Sequence, residues 1–67
     1  MNKVVLWFDQ RENHIHVVET GLDLESADRS VAGYKKDGIP AFHCDESFLD
    51  TVRAKGTTVT YDQDLVQ

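Results

Sequence analysis

Apolar and polar positions alternate twice near the start of the chain. Val4, Leu6 and Phe8 interleave with Val5 and Trp7, and Ile15 and Val17 interleave with His14, His16 and Val18. A two-residue period in β-branched and aromatic residues predicts strands. The polar run at residues 10–13 between them predicts a hairpin with a four-residue loop. Pairing Asp9 with His14 then sets Phe8 opposite Ile15, Leu6 opposite Val17, Trp7 opposite His16 and Val5 opposite Val18.

After Gly21 the period lengthens. Leu24, Ala27, Val31 and Tyr34 fall at spacings of three, four and three, which predicts a helix over about 23–36 stopped by Gly38. Residues 39–43 carry Pro40 near their start and predict a short extended piece at a sheet edge. Asp45 stands where a helix cap would, Glu46 in the first turn, Arg53 and Lys55 in the last, and Gly56 at the stop. These signals predict a second helix with Phe48, Leu49 and Val52 inward and Cys44 beside them. Residues 57–61 alternate as a strand, and residues 62–67 carry no pattern. The expected fold is a single α+β domain over residues 1–67, in ββα(β)αβ order, with two layers and both helices on one sheet face. If residues 39–43 form a strand, the second helix closes a right-handed parallel crossover. Leu6, Phe8, Val17, Phe48 and Val52 are the expected core.

Length changes this picture by limiting the core. Sixty-seven residues, 40% apolar, support one modest core that self-association as a homodimer could help. The net charge of −5 repels phosphate, so nucleic acid is a poor partner. A single cysteine, Cys44, forms no internal disulfide and suits a reducing, cytoplasmic setting. The apolar run at residues 4–8 is too short for a signal peptide or a membrane span.

Candidate chemistry is sparse. His14 and His16 project from one strand face, a spacing that can chelate a transition metal if further ligands converge; His43 and Cys44 are available but point to opposite faces. Cys44 near a helix start has the setting of an activated thiol, yet Asp45 and Glu46 oppose a thiolate there. Asp45, Glu46 and Asp50 are explained by capping and a solvated helix face. Arg29, Lys35, Lys36, Arg53 and Lys55 answer helix dipoles and lack an interleaved aromatic platform. No Walker loop, dinucleotide-binding glycine pattern, serine elbow or calcium loop occurs, and no cofactor is implied.

The expected function is therefore that of a small, acidic, non-enzymatic interaction module that binds a larger protein. Inhibitors, antitoxins, immunity proteins and adaptors encoded by phage, plasmid or other accessory genes have this character. The expected partner surface is the hairpin face of Val5, Trp7, His14, His16 and Val18, an apolar patch framed by imidazoles. The alternatives are a metal-responsive protein built on His14 and His16, and a thiol-based protein built on Cys44.

Overall fold

A computed structural model describes residues 2–62. The elements run β1 (Lys3–Asp9), β2 (His14–Leu22), α1 (Leu24–Lys36), β3 (Ala41–Asp45), α2 (Glu46–Ala54) and β4 (Thr58–Tyr61). They form an α+β domain with a four-stranded mixed sheet in the order β3-β1-β2-β4. The expectation that residues 62–67 carry no element falls, beyond Asp62, outside the described residues. Among the described residues no helix is long and apolar enough to cross a membrane.

The hairpin forms where its polar loop lies. The Asp9 carboxylate accepts the Arg11 and Glu12 N–H groups at 3.1 and 3.4 Å, and Asn13 takes the left-handed conformation that closes the turn (φ 51°). Asp9 pairs with His14, Phe8 with Ile15, Trp7 with His16 and Leu6 with Val17, as the alternation predicts. The register then slips, and Val5 pairs with Glu19 in place of Val18. The additional β2 residue at this bulge brings Glu19 to the face that already holds Val18 and the α1 cluster, where Glu19 accepts the Ser30 hydroxyl at 3.1 Å. Bulges follow no apolar period, so the alternation did not show this one.

Helix α1 is capped by the Asp23 carboxylate, which accepts the Ser26 N–H at 2.8 Å. That bond holds the Asp23 carboxyl below its ordinary range. Ala27 and Val31 are buried and Tyr34 half-buried, but Leu24, expected in the same stripe, lies exposed in the first turn. Asp45 occupies the N-cap position of α2 without capping it, because its carboxylate pairs with Lys3 Nζ at 2.8 Å.

Both helices were expected on one face, and they occupy opposite faces. Leu49 of α2 packs with Val4, Leu6, Ile15 and Val17, joined by Cys44, Val52 and Val59. Ala27 and Val31 of α1 pack with Val5 and Ala41, joined by Val18, Leu22 and Tyr34. Alternate residues of β1 thus serve the two clusters, which makes three layers. Chain direction explains the arrangement. The link β2-α1-β3 steps one way across β1, and the link β3-α2-β4 steps back the other way. Parallel crossovers share one hand, so opposite steps put their helices on opposite faces.

Phe8 and Phe48, also expected in the core, are 38% and 43% exposed, whereas Leu49 is fully buried. Leu49 and Val52 face the sheet, and Phe48, about 100° round the axis from Leu49, falls on a flank of α2. Leu49→Ala and Leu6→Ala should each lower unfolding free energy by about 2–5 kcal/mol. Phe48→Ala should cost about 1 kcal/mol or less, as a surface truncation does. Urea titration followed by circular dichroism measures all three. A Phe48 variant as unstable as the Leu49 variant would reverse this assignment.

Candidate functional site

The hairpin register sets three rings in line. Trp7 and His16 face each other across β1 and β2 with centroids 4.2 Å apart and planes 8° from parallel. His14, two residues back on the same face of β2, stacks on His16 at 4.0 Å and 20°. The buried α1 cluster on this face is Val5, Ala27, Val31 and Ala41, so the rings occupy the part of the face toward β4.

Strand β4 and the residue that follows it fix the imidazoles. His16 Nδ1 lies 2.6 Å from Asp62 Oδ2, His14 Nε2 lies 2.9 Å from Thr60 Oγ1, and the Thr60 hydroxyl donates to Asp62 Oδ1 at 3.2 Å. A carboxylate only accepts, so His16 Nδ1 carries a proton. The Thr60 hydroxyl spends its hydrogen on Asp62, so His14 Nε2 must donate to it. The result is a connected chain of bonds, His14 to Thr60 to Asp62 to His16, that locks two rings in defined tautomers. Thr60 and Asp62 were not anticipated as members of this site. Their contribution depends on β4 lying parallel beside β2, a long-range pairing that no local spacing encodes.

Of the five residues expected on the partner surface, three form this stack. Val5 does not belong to a surface, because it is fully buried beneath α1. Val18 is half-buried against the same cluster. The sheet face is not bare, since α1 covers its β3 and β1 side, and Trp7, His14 and His16 are each half-buried.

Other candidates are dispersed. His43 Nε2 meets Asp28 Oδ1 at 2.7 Å on the α1 side, leaving its buried Nδ1 without a hydrogen bond. Cys44 faces the α2 cluster on the other side of the sheet. Among the described residues no group of three or more His, Cys, Asp or Glu side chains is arranged to hold a metal ion. Asp45, Glu46 and Asp50 border an open depression of about 410 Å³ with Asn2, Ser47, Arg53 and Tyr61, and Asp50 is bound to Arg53 at 3.2 Å. Arg53 also lies over the Tyr61 ring, 5.9 Å from its centroid. The basic residues of α1 and α2 sit on opposite sides of the sheet and form no joint patch.

Burial pushes the Cys44 thiol above its ordinary value, the Asp45 charge adds to this, and Lys3 opposes it. The neutral thiol is thus favoured by folding, and its stabilising contribution is present below the unfolded-state value and lost as pH rises through the folded one. Labelling of Cys44 at neutral pH should be slower in the folded protein than in urea; equal rates would mean an open, activated thiol. Asp62→Ala should cost about 1–2 kcal/mol, because it removes a charge-assisted bond and leaves His16 unpaired. Chemical denaturation checks this, and an unchanged midpoint would remove Asp62 from the network. No family model matches this chain, and no curated protein or solved structure does either.

Proposed function

We propose that this chain is a non-enzymatic interaction module that binds a larger protein, in the manner of an inhibitor, antitoxin, immunity or adaptor protein. The observation that supports this reading is the Trp7–His16–His14 stack, held by Thr60 and Asp62 on a sheet face. A half-buried indole whose neighbours already fix its orientation loses little side-chain freedom on binding, so more of its contact energy reaches the complex. Tryptophan is also among the residues that most often dominate an interface. The acidic balance of −5 favours a partner with a basic rim, since opposite potentials raise the encounter rate and set orientation. Asp9, at the same end of the hairpin, and Asp62 place negative charge beside the rings.

Capture from native lysate tests the proposal when the immobilised full chain is compared with Trp7→Ala. The parent should retain a specific protein, and the variant, if circular dichroism shows it folded, should lose at least about tenfold in affinity, the loss of one strong anchor. Raising the salt concentration should slow association with the parent. A folded Trp7→Ala chain that binds the same protein equally well would remove the ring face as the site.

A further inference from the structure

We propose that the free edge of β3 pairs antiparallel with β3 of a second copy of this chain, forming a weak symmetric dimer with one continuous sheet. Strand β3 is the outermost in the order β3-β1-β2-β4, and among the described residues no strand lies on its outer side. The hydrogen-bond phase of its inner side identifies which backbone groups face out. Glu46 N–H donates to Asn2 O at 2.9 Å, one step beyond the Lys3↔Asp45 pair in the same register. In an antiparallel ladder bonded pairs alternate with unbonded ones, so Cys44 and Phe42 turn their backbone groups toward β1. Ala41, His43 and Asp45 therefore turn theirs outward. The outward Ala41 N–H is already engaged by Ile39 O at 2.8 Å, which leaves the N–H groups of His43 and Asp45 as donors to a new strand.

This edge is self-complementary about His43. A two-fold axis there sets His43 opposite its own copy as a fully bonded pair and Ala41 opposite Asp45 twice, each of those pairs joined by one bond from the Asp45 N–H to Ala41 O because the Ala41 N–H is held by Ile39. It also sets Phe42 opposite Cys44 twice, on the side of the sheet that carries α2. Phe42 is 41% exposed, and Phe8, two residues beyond its partner Leu6, is its diagonal neighbour on the same face. The opposite flank of α2, carrying Glu46, Asp50 and Arg53, borders Tyr61, so Phe48 lies on the flank toward this corner. The edge has few of the usual safeguards against pairing: its register with β1 shows no bulge, it contains no Lys or Pro, and its Asp45 charge is matched by Lys3. A generic extended peptide would satisfy the backbone, whereas a second copy also covers the exposed Phe42 of each chain with its partner's strand.

At about two-fifths exposure, three phenylalanines offer roughly 180–300 Å² per copy. That is short of the roughly 800 Å² per partner of a stable interface, so the dimer is weak and concentration-dependent. Two copies at −5 each repel, so added salt should strengthen association, the reverse of its effect on binding a basic partner.

Sedimentation velocity from micromolar to millimolar chain, at low and high salt, is the test. The average mass should rise with concentration and with salt, and Phe42→Lys or His43→Pro should return it to that of one copy. Trp7→Ala should leave the dimer intact, which separates this interface from the partner face. Amide exchange of the unaltered chain gives a readout that needs no variant: the His43 and Asp45 N–H groups should exchange several-fold more slowly in the concentrated sample. A single-copy mass at every concentration would overturn the proposal, as would a dimer whose formation leaves His43 and Asp45 exchange unchanged.

Discussion

Strand β1 must be covered on both faces, and the rest of the structure follows from that constraint. Val4, Val5 and Leu6 are consecutive and each fully buried, which no strand with one solvent face can achieve. Alternation sends Val4 and Leu6 to one side and Val5 to the other, so each side requires a helix. A chain this short supplies two, and the opposed directions of its crossovers deliver one to each face. The middle position of β1 and β2 in the sheet is the other half of the same solution, because β3 and β4 can only add outside the hairpin.

Burial on both faces also explains why the helices carry such narrow apolar stripes. Only Ala27 and Val31 of α1, and Leu49 of α2, are buried. Each helix meets half of a small core rather than covering a whole sheet face alone. Leu24 and Phe48 extend these stripes in sequence but lie outside the buried clusters and remain at the surface.

Much of the fold was legible because local chemistry encoded it. The polar loop set the hairpin register from Asp9 to Leu6, the change of period marked α1, and the charge gradient with Gly56 marked α2. The layering was legible in principle: three buried residues in a row, Val4 to Leu6, exceed what a half-solvated strand needs. The bulge after Val17 and the true partner of Asp45 depend on tertiary neighbours, and neither leaves a trace in spacing. Of the ring site, the alternation could show that Trp7, His14 and His16 share a face. It could not show that they stack, since that depends on Thr60 and Asp62 holding the imidazoles from a strand more than forty residues away.

The ring stack makes the molecule self-reporting. Trp7 is the chain's single tryptophan, and its indole lies flat against the imidazole that Asp62 holds. Loosening of β4 frees His16 and so alters the surroundings of the chain's strongest near-ultraviolet chromophore, even while α1 and α2 stay packed on β1. Intrinsic emission therefore reads the sheet's distal margin, whereas helical dichroism reads its two covered faces. Divergence between these signals would separate local opening of that margin from global unfolding.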